Sequence, residues 1–257
     1  MSKAFGIINF AGNDVQVNGM LDYRPIGAFS FLGRYRVIDF PISNMSNSGI
    51  DVMQVYVRRK PRSLVEHLGT GRHYNINSKR GKLNILFAET IEENNVYNTD
   101  IAAYIENFDC FDEIDSEYVV LAPSYMIYTA DYNTFLQSHI ESGADITLMY
   151  FDNSDDSTNC DYDGVYLKTD EDDKVLDMCY SEGKHRSNKK SMDAYIMKTT
   201  LLIDFIETAI AHNKKHFFFD VIVPNFDRLV IQGYEYKGYV GCITSLEAYY
   251  NVNMDML

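Results

Sequence analysis

The chain has 257 residues, of which 46% are hydrophobic, including 15 Phe and 20 Tyr, and its formal net charge is −14. This length and apolar content indicate a globular protein with a substantial core rather than a disordered one. The negative charge argues against a nucleic-acid or anionic-membrane partner, because phosphate groups attract clustered Lys and Arg.

The four cysteines, at positions 110, 160, 179 and 242, are scattered along the chain without a C-x-x-C pair. This spacing excludes a zinc-ligand motif and favours buried or idle free thiols. The N-terminus lacks the layout of a signal peptide, and no apolar run approaches the roughly 20 residues of a membrane helix. We therefore expect a cytoplasmic protein without membrane contact.

In the first part of the chain, apolar runs alternate with segments of helical spacing. Strands are predicted at 5–10, 51–57, 83–87, 118–122 and 145–151, and helices at 35–47, 63–68, 100–107 and 133–142. Pro41 suggests a kink in the first helix, and Gly49 its end. Strand–helix–strand repetition predicts a mainly parallel sheet with helices on both faces.

The second half of the sequence changes character. Short strands separated by polar turns are predicted at 164–168, 174–179 and 191–198, which is typical of a small antiparallel insertion. A helix is predicted at 200–213 from its apolar stripe, and a further strand at 234–240. The fold class is thus α/β, with a mixed, mainly parallel central sheet.

Two charge runs allow alternative interpretations. The acidic run at 152–163 is typical of a solvated loop, although clustered oxygens also suit a hard cation. The basic run at 58–62 directly follows a predicted strand, where α/β sheets bind ligands. A solvated surface is favoured for it, with a phosphorylated effector as the second interpretation.

One block carries a specific resemblance. Residues 34–44 read RYRVIDFPISN, residues 47–51 read NSGID and residues 220–224 read DVIVP. They resemble the YRxIDFPxSN, NSGID and DxIIP motifs of glucose-1-phosphate adenylyltransferases, the ADP-glucose pyrophosphorylases of glycogen and starch synthesis. We call residues 34–44 the signature segment.

The resemblance implies a nucleotidyltransferase fold, Rossmann-like and of GT-A type, with three layers. It spans the whole chain, so residues 1–257 are expected to form one nucleotidyltransferase-like domain. Members of the family continue into a C-terminal left-handed β-helix domain. That domain is absent from this sequence, which is expected to be an isolated domain or a shortened chain.

Nucleotidyl transfer brings two anions together, so it requires a glycine-rich phosphate loop, cations and carboxylates that hold Mg²⁺. Aligned with the family's GGxGxRL…RAKPAVPF loop, Gly12 and Arg24 are kept as vestigial nucleotide-binding residues. Asp14 replaces a glycine and adds a negative charge near the expected triphosphate. Gln16 and Ile26 replace the catalytic Arg and Lys.

The metal motifs are altered as well. Ser124 falls on the Asp of the family's GDxxY turn, and Tyr239 on the Asp of its DVGT motif. Active members of the family use Mg²⁺, but a hydroxyl and a phenol are poor substitutes for carboxylates. We therefore expect neither a metal site nor a cofactor in this chain, and no intact catalytic residues.

The motifs that bind the sugar phosphate in the family are only partly kept in this sequence. Gly164 matches the family's FGV motif and Ser191 its SMG motif, whose glycine is replaced by Asp193. The lysine of the EKP motif is missing unless Lys184 substitutes for it through a shifted loop. Gly164, Lys184 and Ser191 are thus the vestigial sugar-phosphate residues.

Together these losses resemble the GlgD-type regulatory subunit that accompanies an active subunit in Gram-positive bacteria. The resemblance implies a glycogen-biosynthesis protein with little or no activity alone, which pairs with a catalytic glucose-1-phosphate adenylyltransferase subunit. A first alternative is an effector-binding module, for a sugar phosphate or nucleotide, without chemistry. A second is an active nucleotidyltransferase in which Asp14 and Asp22 serve as substitute metal ligands.

Overall fold

The computed structural model describes residues 3–10, 15, 17, 19–58, 60–69, 71–76, 81–87, 100–154, 158–160, 164–180 and 187–257. Its main sheet has nine strands. They are β1 (Ala4–Asn9), β4 (Val52–Val57), β5 (Lys82–Phe87), β6 (Tyr118–Pro123), β8 (Ile146–Asp152), β10 (Val165–Thr169), β11 (Val175–Tyr180), β12 (Lys189–Lys198) and β13 (Ile231–Glu235).

The parallel half of this sheet is formed by neighbours in the order β6-β1-β4-β5. Gly6 of β1 lies opposite Met53 of β4 and Val120 of β6. β1 and β6 are buried along almost their whole length because both faces of the sheet are covered there, as in parallel sheets generally. Two separate apolar clusters, one containing Ile8 and the other Phe5, fill the two faces. The predicted three-layer α/β fold is confirmed.

The described helices of the first half follow the strands as expected. They are α1 (Asp39–Asn47), α2 (Arg62–Leu68), α3 (Asp100–Glu106) and α4 (Tyr132–Ser142). The helix predicted at 35–47 was too long, since Tyr35–Arg36 (β3) pairs instead with Ser30–Phe31 (β2) as a short hairpin. Pro41 is therefore the third residue of α1, where its missing N–H has no helical partner to lose, and it needs no kink. Gly49, with φ +74°, follows the helix as predicted.

The antiparallel part of the sheet is built around β12. Its C-terminal half pairs with β6, its other edge pairs with β8, and Lys190 lies opposite Tyr166 in the β10–β11 hairpin. The strands predicted at 164–168 and 174–179 form this hairpin, whereas the strand predicted at 191–198 is part of β12 and lies within the main sheet. The predicted helix at 200–213 is present as α5 (Thr199–His212).

The strand predicted at 234–240 was wrong. Ile231–Glu235 joins the main sheet beside β8, whereas Val240–Cys242 (β14) joins a small sheet with Met126–Ile127 (β7) and Thr158–Asn159 (β9). Between these strands, the Tyr236 hydroxyl donates to the carbonyl of Thr129, 3.0 Å away.

Further helical segments were not predicted. A π-helical turn spans Phe217–Ile222, a single turn α6 spans Val223–Asn225, and α7 spans Leu246–Asp255. Helix α7 packs closely on β14, since a Cβ on Gly241 would lie 2.6 Å from a methyl group of Val252. Within the ranges given above, no helix has both the length and the apolar character needed to cross a bilayer.

Candidate functional site

The carboxyl ends of β1, β4 and β6 meet at one edge of the sheet, where α/β folds bind their ligands. There the Ser124 amide donates to the carbonyl of Asn9, 2.9 Å away, which joins the loop after β6 to the end of β1. The Asn9 side-chain oxygen accepts from the Tyr104 hydroxyl at 2.7 Å. We call this edge the cleft.

The nucleotide side of the cleft is partly described. Gly12, Asp14 and Gln16 lie outside the described residues. Arg24 is exposed. Ile26 opens a short 3₁₀ turn, Ile26–Ala28, and its side chain is only 4% exposed within the apolar core. The position predicted to have lost a lysine is therefore occupied by a packing residue.

Ser124 is buried, with 7% of its surface exposed, directly after β6. It supplies a hydroxyl where the resemblance expects a carboxylate. The next residue, Tyr125, donates its hydroxyl to a carboxylate oxygen of Asp193. Its carbonyl accepts the amide of Ile243 at 2.9 Å, so the loop after β6 is fixed to the end of β14.

Tyr239 lies immediately before β14. Its hydroxyl donates to a carboxylate oxygen of Asp255, 2.9 Å away at the end of α7. Burial, followed by this hydrogen bond and the charge of Asp255, raises the pKa of Tyr239 above its ordinary value. The position therefore attaches the C-terminal helix to the small sheet and remains a neutral phenol.

On the sugar side, Gly164 is buried just before β10, and Ser191 is 1% exposed in β12. Ser191 hydrogen-bonds to Tyr195, whose pKa is raised by burial and then by the charge of Asp193. The ladder between β12 and β8 is interrupted between Ser191 and Ala194. Asp193, in this interruption, has a φ of +50°. Lys184 lies outside the described residues.

The arginines at the two ends of the basic run at 58–62 lie in different surroundings. The Arg58 guanidinium lies 5.1 Å from the centre of the Phe10 ring, beyond the ends of β4 and β1. Arg62 instead pairs with Glu66 on the exposed side of α2, at 2.8 Å. The second contact is typical of a solvated surface, whereas the first places a cation at the cleft.

The sequence model of the family described as "Nucleotidyl transferase" matches residues 23–232. This chain belongs to the nucleotidyl transferase family. It is similar to the glucose-1-phosphate adenylyltransferases of Clostridium novyi (31% identity over 234 residues, 90% of this chain and 60% of the relative) and of Bacillus subtilis (28% identity, 96% and 65%). That of Fervidobacterium nodosum is 26% identical over 100% of this chain and 62% of the relative. The chain thus spans about 60% of the length of these relatives.

The residues of this chain do not fit the Mg²⁺ that the family implies. Mg²⁺ prefers carboxylate oxygens in octahedral geometry, and the two expected positions hold Ser124 and Tyr239. Among the described residues, no group of three or more His, Cys, Asp or Glu side chains is arranged to hold a metal ion. We therefore derive no metal-assisted step for this chain.

The cysteine prediction requires a correction. Cys160 and Cys242 form a disulfide between residues 82 positions apart, and only Cys110 and Cys179 are free thiols. The bond joins the end of β9 to the end of β14, next to the Tyr239 position. A sequence without paired spacing gives no signal for such a connection.

Proposed function

We propose that this chain is a catalytically impaired regulatory subunit of the GlgD type. It pairs with an active glucose-1-phosphate adenylyltransferase subunit and tunes its synthesis of ADP-glucose from ATP and glucose-1-phosphate. The observation that carries the proposal is the use made of Ile26, Ser124 and Tyr239. Ile26 packs in the apolar core, Ser124 is buried after β6, and the Tyr239 hydroxyl donates to Asp255, while Asp39 and Asn44 of the signature segment make structural hydrogen bonds.

The chemistry supports the same proposal. Attack of a sugar phosphate on ATP needs preorganised positive charge, and each such group typically contributes about 10²–10³ in rate. A buried isoleucine, a serine and a hydrogen-bonded phenol supply none at the three described positions. The net charge of −14 adds repulsion for both anionic substrates.

The test is an adenylyltransferase assay of the purified full-length protein, alone and mixed with the active subunit. We expect negligible ADP-glucose formation by the protein alone and a changed kcat or KM of the active subunit in the mixture. Substantial synthesis by the protein alone would reject the proposal. No effect on the active subunit, with no complex in analytical ultracentrifugation, would reject the pairing.

A matched variant tests whether the metal positions alone limit activity. Ser124→Asp combined with Tyr239→Asp restores both expected carboxylates. Because Ser124 is buried and Tyr239→Asp faces Asp255 with a like charge, thermal unfolding must show that this variant is folded. Adding Ile26→Lys places a charge in a buried position, so its folding must be checked separately. We expect the double variant to remain inactive, because the cationic groups are still missing.

A second candidate function, an effector-binding module without chemistry, is favoured by the position of Arg58 over Phe10 at the cleft. A cation at this edge suits a phosphorylated ligand. Calorimetry with ATP, glucose-1-phosphate and fructose-1,6-bisphosphate tests it, with Arg58→Gln as the informative variant and Arg62→Gln as its exposed control. Binding that is lost only in Arg58→Gln would support this function.

A further inference from the structure

A cavity of about 360 Å³ lies at the edge of the main sheet opposite the cleft. It is bordered by the C-terminal end of α4, the N-terminal end of α5 and the start of β6. The buried rings of Tyr118 and His139 line it, and Ile140 and Leu201 add apolar surface. Its volume is at the small end of the range of ligand sites, about 300–1,000 Å³.

The His139 ring is almost fully buried, yet one of its two nitrogens has no hydrogen bond. Nδ1 lies 2.8 Å from the Thr147 hydroxyl, and the residue is only 2% exposed. Among the described residues, no group hydrogen-bonds to the other ring nitrogen, Nε2. A buried polar atom without a partner is costly, and the ring borders the cavity. A polar ligand in the cavity would supply the missing partner.

Charged side chains of both signs border the same cavity. They are the ammonium of Lys198 and the carboxylates of Asp145 and Asp204. Burial lowers the pKa of His139 most, Lys198 lowers it further and Asp145 opposes the shift, so both charges act on the ring. Within the part of the chain that the structure describes, Lys198 forms no ion pair with either carboxylate. These charges therefore do not neutralise each other.

Two helix ends add partial charges of opposite sign. Helix α5 begins at Thr199 without a side-chain cap, and the next two residues, Thr200 and Leu201, line the cavity. Amide groups in the first turn of a helix have no acceptor within the helix, so they are available to a carboxylate. Helix α4 ends beside the same cavity, at Gly143. The carbonyl end of a helix attracts an ammonium group.

We propose that this cavity binds a free α-amino acid with an apolar side chain. The first-turn amides of α5 and the Lys198 ammonium hold its carboxylate. Asp145, Asp204 and the carbonyl end of α4 hold its ammonium group, and Nε2 of His139 hydrogen-bonds to its polar end. A ligand with a single charge leaves one set of these groups without a partner, so the site selects zwitterions.

The experiment measures binding to the full chain by calorimetry and saturation-transfer NMR. The probes are leucine, 4-methylpentanoate, which is leucine without its amino group, and 3-methylbutylamine, which is leucine without its carboxylate. Lys198→Met removes the cation, and Lys168→Met, at an exposed lysine of β10, is its matched control. Asp204→Asn removes a carboxylate, and Glu207→Gln, also exposed on α5, is its control. Thermal unfolding verifies that each variant is folded.

We expect leucine to bind more tightly than either analogue. Lys198→Met and Asp204→Asn should each weaken leucine binding about tenfold, because each removes a charged partner, and the two controls should leave it unchanged. Absence of leucine binding, equal or tighter binding of either analogue, or an unchanged affinity in folded Lys198→Met would each overturn the proposal. The measurement uses this chain alone, so its outcome is independent of pairing with an active subunit.

Discussion

The signature segment and the Tyr239–Cys242 segment differ in how their residues compare with the family's motifs. In the signature segment, polar side chains still make the contacts that fix the fold. Asp39 accepts from Tyr74 and pairs with His67, both at 2.6 Å, and Asn44 donates to the carbonyl of Tyr128 at 3.0 Å. In the other segment, a phenol and a disulfide attach the chain where the resemblance expects a metal ligand.

The difference shows that positions can change role without changing place. A hydrogen-bonded, partly buried carboxylate such as Asp39 is costly to lose, so substitution there damages the fold. Under the proposed function the chain holds no catalytic metal, so a residue that packs can occupy the position of a metal ligand. The comparison therefore predicts that stability depends on both segments, through different contacts.

The largest expected effect is at Asp39, whose side chain is 13% exposed. Asp39→Ala leaves the Tyr74 hydroxyl, the His67 ring and the Arg36 amide without their acceptor. We expect the free energy of unfolding to fall by about 3–5 kcal/mol, because three groups lose their hydrogen-bond partner and each unsatisfied group costs about 1–3 kcal/mol when it is buried. Urea unfolding measures it, with the exposed Asp112→Ala as control. If the two variants were equally stable, the signature segment would not be a structural scaffold.

The second largest loss of stability is expected when the Cys160–Cys242 disulfide is removed. Replacing Cys160 and Cys242 by serine frees a loop of 82 residues in the unfolded chain, which typically costs about 2–4 kcal/mol. Reductant should lower the unfolding midpoint of the natural protein to that of this variant and leave the variant itself unchanged. The double variant Cys110→Ser with Cys179→Ser is the control, and reductant should still lower its unfolding midpoint. Alkylation of all four cysteines without reductant would contradict the bond.

A smaller effect is expected at Tyr239. Tyr239→Phe removes one hydrogen bond to Asp255 and should cost about 1 kcal/mol. Tyr239→Asp should cost more, because it faces Asp255 with a like charge, and Asp255→Asn should relieve that excess. Urea unfolding of the four combinations gives the coupling. A Tyr239→Asp protein as stable as the natural one would mean that the position is still open to a metal ligand.

Much of the fold followed from the sequence, because the apolar strands and amphipathic helices of the parallel half are strongly patterned. The wrong predictions of helix and strand bounds fall where a tyrosine was counted as part of an apolar pattern. Tyr35 fitted the helical spacing of α1 but lies in a hairpin. Tyr236 fitted a strand but lies between β13 and β14, where its hydroxyl donates to the carbonyl of Thr129. A tyrosine has an apolar ring and a polar end, so its spacing alone does not indicate burial.

The candidate site was predictable only as a set of altered positions. Resemblance selected Ile26, Ser124 and Tyr239, but it did not give their new contacts. Tyr239 binds a helix that was not predicted, and the disulfide depends on two cysteines brought together by the small sheet. Such long-range contacts leave no local pattern in one sequence.

The smallest effect on stability is expected at His139, at the edge of the sheet opposite the cleft. This residue belongs to neither segment, so it is a reference for both. His139 is 2% exposed and hydrogen-bonds to the Thr147 hydroxyl at 2.8 Å. Burial, and then the charge of Lys198, lower its pKa from 6.5, while Asp145 opposes the shift. The unfolded chain therefore binds the proton more readily. Stability is fully present above that ordinary pKa and falls as the pH is lowered towards the folded-state value.

The measurement is the free energy of unfolding at a series of pH values spanning the ordinary histidine pKa. The decline on acidification should be shallower in His139→Gln than in the natural protein. His212→Gln, at an exposed histidine of α5, should retain the steeper slope. If His139→Gln kept the natural slope, the acid sensitivity would come from another part of the protein.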